Sequence, residues 1–211
     1  MAQTVLVAGA HGRVGSRLTE LLAEGDRDVR GMVRDESQTD DIEDLGADPV
    51  VGDLTETVDH AVRGCDEIVF AAGSGGEDVY GVDRDGAITL IEAAEREGVD
   101  RFVTLSSMGA GNPDEGPDEL RDYLIAKGAA DDRLRESELT HTIARPGPLT
   151  DDPGTWEIRA AETLEEPGEI SREDVARTLA ASLDIEATRG KTFELLEGDE
   201  PIDSALRSVG P

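Results

Sequence analysis

The run Val-Leu-Val-Ala-Gly-Ala-His-Gly-Arg-Val-Gly from Val5 to Gly15 constrains this chain more than any other. An apolar, β-type stretch passes into three glycines, Gly9, Gly12 and Gly15. A helical pattern then begins, with Val14, Leu18, Leu21 and Leu22 on one face. A glycine cluster gains meaning from this strand–turn–helix setting. Gly9 permits a tight turn, Gly12 leaves room for backbone to approach a pyrophosphate, and Gly15 lets the helix pack close to the strand. The helix start offers unpaired N–H groups and the positive end of its dipole to phosphates. The spacing is G-x-x-G-x-x-G, not the G-x-G-x-x-G of the commonest dinucleotide fingerprint.

Strand-like and helical patterns alternate through the rest of the 211 residues. Strands are expected at 4–9, 28–34, 48–51, 66–72, 101–106, 140–144 and 191–196, with a short one near 155–159. Helices are expected at 13–24, 38–45, 55–63, 82–97, 118–136, 172–183 and 201–208. Pro146 and Pro148 should stop the sixth strand. Ser171-Arg-Glu-Asp174 is a capping pattern for the helix that follows. Such alternation predicts an α/β, doubly wound parallel sheet in three αβα layers. No linker, repeat or composition shift divides the chain, so a single domain over 1–211 is expected. Segments 108–117 and 149–168 follow strands five and six and should wall a pocket for a small-molecule substrate.

Asp and Glu number 49 against 20 Lys and Arg, a formal net charge of −29. Regular apolar strands between the charged segments argue for a folded protein with a solvated acidic surface, not a disordered chain. That surface repels itself unless salt screens it, which points to a high-salt cytoplasm. It also argues against nucleic acid and anionic membranes as partners, because phosphate contacts need clustered Lys and Arg. The single Cys65 excludes an internal disulfide, and His11, His60 and His141 form no metal spacing, so no metal is expected. Neither a leader peptide nor a bilayer-length apolar stretch is visible, so a cytoplasmic location is expected. A homo-oligomer is left open.

Arg34 closes the second strand, where an acidic residue would bind a ribose 2′-OH and an Arg suits a 2′-phosphate. Arg13, inside the glycine turn, could assist. NADP(H) is therefore expected over NAD(H), with Asp35 next door keeping NAD(H) open. Asp53, in Gly-Asp-Leu54, could accept from an adenine amino group or serve as a turn residue. Ala71, Ala72 and Gly73 end strand four with small side chains that let backbone approach a ribose. His11 lies in the turn itself.

Tyr123 and Lys127 stand four apart on an expected helix, hence on one face. Lys127 is one of only two lysines among 20 basic residues, retained where a compact ammonium matters. An ammonium beside a phenol favours phenolate and would make Tyr123 an acid/base. Ser106 and Ser107 end strand five and could polarise a carbonyl. Trp156 could line the pocket or pack over the sheet edge. The Asp pairs 40–41, 131–132 and 151–152 read as solvated surface.

Together these residues resemble the short-chain dehydrogenase/reductase superfamily, most closely its atypical branch of NmrA-like, biliverdin-reductase-B-like and sugar-epimerase-like proteins. The resemblance rests on Gly9-Ala-His-Gly12-Arg-Val-Gly15, Val33-Arg34, Gly52-Asp53-Leu54, Ala71-Ala-Gly73, Leu105-Ser-Ser107, Tyr123-Leu-Ile-Ala-Lys127, Ala144-Arg-Pro-Gly-Pro148 and Ser171-Arg-Glu-Asp-Val-Ala176. It implies a Rossmann fold with bound NAD(P). Tyr123 would then carry the proton, Lys127 bind the nicotinamide ribose, and Ser107 or Ser106 hold the substrate oxygen. Pro146 would lie near the nicotinamide, and Val14 and Leu54 would join the cofactor-binding set. The larger C-terminal domain of sugar-nucleotide epimerases has no counterpart here, which points away from a nucleotide sugar. The function expected is an NADP(H)-dependent oxidoreductase acting on a small carbonyl or conjugated acceptor. The alternatives are a non-catalytic NADP(H) redox sensor and an NAD-dependent epimerase/dehydratase-like enzyme.

Overall fold

A computed structural model describes residues 2–209. Nine strands form one sheet in the order β11-β8-β10-β6-β5-β4-β1-β2-β3. They are β1 (Thr4–Ala8), β2 (Asp28–Val33), β3 (Asp48–Val51), β4 (Glu67–Phe70), β5 (Arg101–Leu105), β6 (Thr140–Pro146), β8 (Glu157–Ala161), β10 (Lys191–Glu197) and β11 (Glu200–Pro201). A small parallel pair, β7 (Leu149–Thr150) and β9 (Ile170–Ser171), stands apart. Seven neighbours run parallel, from β3 to β10, while β8 pairs antiparallel with β10 and β11 antiparallel with β8. The doubly wound parallel sheet is found as expected, with an antiparallel edge added to it. β8 returns through the 149–156 loop without a crossover helix, so it must run against its neighbour.

Strand alternation sorts side chains into two cores. Val5 and Val7 of β1 face one side, with Val69 and Val103. They pack against α1 (Gly15–Ala23), α2 (Thr39–Asp44), α6 (Arg172–Asp184) and α7 (Ile202–Ser208), which supply Leu18, Ile42, Leu179 and Leu206. Leu6, Ile68, Phe70 and Phe102 face the other side. There they meet α3 (Asp59–Val62), α4 (Ala87–Glu97) and α5 (Arg121–Arg135) through Ala61, Leu90 and Leu134. Each fully buried Leu, Val or Phe contributes about 1.5–3 kcal/mol relative to exposure. The result is the single-domain, three-layer Rossmann-type arrangement.

Several local expectations are corrected. The helix expected at 55–63 is reduced to α3, because Asp53 turns the chain by accepting from Thr55 N (2.9 Å) and Thr55 Oγ1 (2.7 Å). The helix expected at 82–97 begins earlier, as a π-helical stretch Val79–Gly86, before α4. The helix at 38–45 divides into a 3-10 turn Glu36–Gln38 and α2, and 118–136 into a 3-10 turn Asp118–Leu120 and α5. β6 runs on through Pro146, which pairs with Leu195 of β10 and needs no N–H there. Its carbonyl accepts from Met108 N at 2.9 Å. Among the described residues no helix is long and apolar enough to cross a membrane.

Candidate active site

The parallel register Ala8–Phe70–Thr104 aligns the carboxyl ends of β1, β4 and β5. The glycine turn, residues 71–74 and Ser106–Ser107 therefore emerge at one edge. Strand order reverses direction at β1, with β4 on one side and β2 on the other, the switch point at which sheets of this kind bind their ligands.

Gly9 has φ +86°, and a Cβ there would lie 2.6 Å from Ala72 Cα. Backbone of the first turn thus rests directly on backbone after β4. A Cβ on Gly15 would overlap the Gly9 carbonyl. Gly12 N donates to Gly9 O (2.9 Å) and Ser16 N to Gly12 O (2.8 Å), which shapes the turn. α1 starts with no side-chain cap, so its first N–H groups have no side-chain partner. The bare helix start and the glycine cradle fit a pyrophosphate.

The other expected cofactor residues fall around this turn. His11 lies 2.9 Å from Asp41 Oδ2 and 3.1 Å from Gln38 Nε2, so both ring nitrogens are engaged. Arg13 pairs with Asp151, whose other oxygen meets Arg172 Nη1 at 3.0 Å. This chain ties the glycine turn to the loop after β7. Arg34 is exposed at the end of β2 and forms no ion pair among the described residues. Hydrogen bonds from Thr55, aided by Arg34, hold the Asp53 carboxyl below its usual range. Val14 and Leu54 are buried, and Leu54 Cβ would lie 2.8 Å from a Cβ on Gly86 of the π-helical stretch. Pro146 is buried at the end of β6.

Tyr123, Lys127 and Asp131 stand one helical turn apart on α5. Lys127 is 3% exposed, and its Nζ donates to Leu105 O at 2.6 Å and lies 5.5 Å from the Phe70 ring centre. Burial pulls its pKa down, while Asp83 and Asp131 push it up. The expected lowering of the Tyr123 pKa is not found. Burial first, then Asp83, push it up to about 12, with a hydrogen bond from Ser107 opposing. The Lys127 ammonium points to the β5 carbonyl.

The two serines divide. Ser106 is buried, and its Oγ donates to Asp131 Oδ2 at 2.8 Å. Ser107 is half-buried, close enough to Tyr123 to act on its phenol, and its Oγ donates to Met108 O at 3.2 Å. Asp131, expected on the surface, is 1% exposed and accepts from Arg145 Nε (2.9 Å) and Nη2 (2.8 Å). Asp83 is likewise buried and accepts from Ser74 N (3.0 Å) and Ser74 Oγ (2.7 Å), fixing the loop after β4. Neither carboxylate stood out in a sequence with 49 acidic residues. The one signal available was the four-residue step from Lys127 to Asp131 on the α5 face.

The segment around 154–156 is held by Asp174, fully buried at the start of α6. Its carboxylate accepts from Trp156 N (2.9 Å), Thr155 N (2.9 Å) and Ser171 Oγ (2.9 Å). Trp156 takes φ +67°, a region few non-glycine residues occupy. Its ring is exposed under the Arg177 guanidinium, 3.3 Å from the ring centre.

A Rossmann-type sheet with a phosphate-ready glycine turn defines a dinucleotide-binding protein. Residues 9–186 match the NAD(P)H-binding family, and the chain belongs to it. It is 44% identical over 213 residues to "Uncharacterized sugar epimerase YhfK" of Bacillus subtilis, covering 97% of this chain and 99% of that one. Sanguinarine reductase of Eschscholzia californica is 29% identical over 254 residues, covering 97% and 92%. A solved structure from Bacillus halodurans, provisionally described as an NAD-dependent epimerase/dehydratase, matches with a TM-score of 0.93. That match is at 41% identity and covers 97% of this chain and 99% of that one. The relatives thus include a reductase as well as proteins described as epimerases.

Proposed function

We propose that the protein is an NADP(H)-dependent oxidoreductase of the short-chain dehydrogenase/reductase type, reducing a small carbonyl or conjugated acceptor. The observation that carries this is geometric: Tyr123 shares a face of α5 with Lys127, whose Nζ meets the end of β5, at the sheet edge that also holds the uncapped glycine turn. The glycine turn and the start of α1 would hold the pyrophosphate, Arg34 the 2′-phosphate, and the Ala71–Gly73 backbone the ribose. Bound nicotinamide supplies the hydride. Tyr123 would give its phenolic proton to the substrate oxygen. Ser107 holds that oxygen in place, and Lys127, anchored on Leu105, steadies the ribose side.

The test is NADPH oxidation with a panel of carbonyls, quinones and flavins. Turnover is expected in the parent and a loss of at least about 100-fold in Tyr123→Phe with NADPH affinity kept. Full activity in that variant would refute the role of Tyr123, and a parent inert across the panel yet binding NADPH would favour a sensor.

The epimerase-type descriptions of two relatives support a second reading, with tightly held NAD. An enzyme of that kind would purify with bound NAD whose redox state is unchanged after turnover.

A further inference from the structure

Beyond Tyr123 and Lys127, α5 presents a third polar side chain on the same stripe. Asp131 accepts three charge-assisted or hydroxyl hydrogen bonds on one oxygen, from Ser106 Oγ, Arg145 Nε and Arg145 Nη2. These donors come from the end of β5 and the end of β6, and Asp131 itself comes from α5. One carboxylate therefore ties together the three elements that carry Ser107, Pro146 and Lys127. The Arg145 guanidinium also supports the loop after β5, since a Cβ on Gly111 would lie 2.6 Å from Arg145 Nη1. A buried ion pair is a poor source of net stability, because desolvation cancels much of the attraction. It does fix geometry, since every partner must be met.

We propose that Asp131 is a positioning residue of this site. Its carboxylate holds the end of β5 against α5, so that Leu105 O stays under Lys127 Nζ and Ser107 stays near Tyr123, and it stands one helical turn from the Lys127 ammonium. This rests on the reading of the site as catalytic. Lys127 is faced by Asp83 from the π-helical stretch, Asp131 from its own helix, the Leu105 carbonyl from β5 and the Phe70 ring from β4. Asp83 alone remains as a counter-charge when Asp131 is neutralised.

The chain has two lysines, so Lys191→Arg leaves Lys127 as a single probe. Lysine labelled with 13C at Cε then reports the Lys127 titration by NMR, whether or not turnover is seen. In Asp131→Asn the Lys127 midpoint should move down, and in Asp131→Glu it should return toward the parent. In the NADPH-oxidation assay, Asp131→Asn should lose about 10- to 100-fold in kcat, with KM for cofactor and acceptor little changed. Asp131→Glu should recover part of that loss. Ser106→Ala, which leaves the Asp131–Arg145 pair in place, should lose kcat in the same direction and by less, and it carries the test if Asp131→Asn does not fold. A lower melting temperature with an unmoved Lys127 titration and unchanged kcat would overturn the proposal and leave Asp131 a purely structural residue. A parent without turnover but with the Lys127 shift would sink the enzyme reading and keep Asp131 as the group that holds Lys127.

Discussion

Lys127 Nζ donates a 2.6 Å hydrogen bond to the carbonyl oxygen of Leu105, the last residue of β5. The contact crosses from α5 to the strand whose next residues are the two serines, so one ammonium sets the distance between helix and strand end. Lys127→Met keeps the apolar stem and removes the donor. The orphaned carbonyl costs about 1–3 kcal/mol, and kcat in the NADPH-oxidation assay should fall about 100-fold or more. Lys127→Arg should not rescue it, because the planar fork cannot replace a compact ammonium in a buried slot. Urea midpoints and steady-state rates on both variants check this.

Tyr123 makes a prediction at high pH. Its folded pKa is about 12, against an ordinary 10, because burial and Asp83 disfavour the phenolate. The proton is bound more tightly in the folded state. The associated stability is therefore fully present below pH 10 and is lost as pH rises through 12. Two units correspond to roughly 2–3 kcal/mol. Denaturant unfolding from pH 8 to 12 should show this loss, and Tyr123→Phe should flatten it. Equal slopes in parent and variant would contradict the burial of the phenol.

Arg34 extends from the end of β2 without an ion pair among the described residues, beside Asp35 and Asp53. A guanidinium without an ion pair is suited to a phosphate dianion, against the repulsion of the two neighbouring carboxylates. Charge-assisted hydrogen bonds are worth about 1.5–3 kcal/mol. Arg34→Ala should thus weaken NADPH by about 10- to 100-fold and leave NADH nearly unchanged. Titration of nicotinamide fluorescence with both cofactors measures the ratio, and equal loss would end the argument for NADP(H).

How much of this was legible in the sequence depends on how local the cause is. β1, its glycines and the face of α1 that buries Val14, Leu18 and Leu22 follow from residues next to one another. The alternation of Leu6 and Val7 between two cores likewise follows from strand geometry. The buried carboxylates do not. Asp131 and its neighbour Asp132 look alike in sequence, yet Asp132 is exposed and Asp131 is sealed in, because Arg145 and Ser106 arrive from two other strands. The π-helical stretch before α4 was hidden for a similar reason, since Gly86 must fit against Leu54 from another segment. Ser106 and Ser107 were inseparable until the fold turned one inward.

Asp174 holds the strained Trp156 backbone and the Thr155 N–H through a buried carboxylate. Asp174→Ala leaves those donors without partners. The expected cost is about 2–4 kcal/mol, a fall in melting temperature on the order of 10 °C. Local loosening should accompany it, visible as faster amide exchange in residues 150–157 than in β1. Asp174→Asn should fall between, since it keeps acceptor capacity on one oxygen.

The acidic surface supplies the last prediction. A formal charge of −29 is distributed over a fold whose ion pairs are mostly exposed, such as Arg96 with Asp59 and Arg135 with Asp132. Exposed pairs contribute about 0–1 kcal/mol each and do not offset the repulsion among the excess carboxylates. At 0.01 M salt that repulsion reaches about 30 Å, and at 1 M about 3 Å. Raising KCl from low to molar concentration should therefore stabilise the fold, by at least about 5 °C in melting temperature, which is on the order of 2 kcal/mol. Choline chloride at matched ionic strength should reproduce most of the gain, because screening depends on ionic strength and not on a bound potassium ion. A melting temperature indifferent to both salts would show that the acidic surface is tolerated without salt, and would remove the ground for a high-salt cytoplasm.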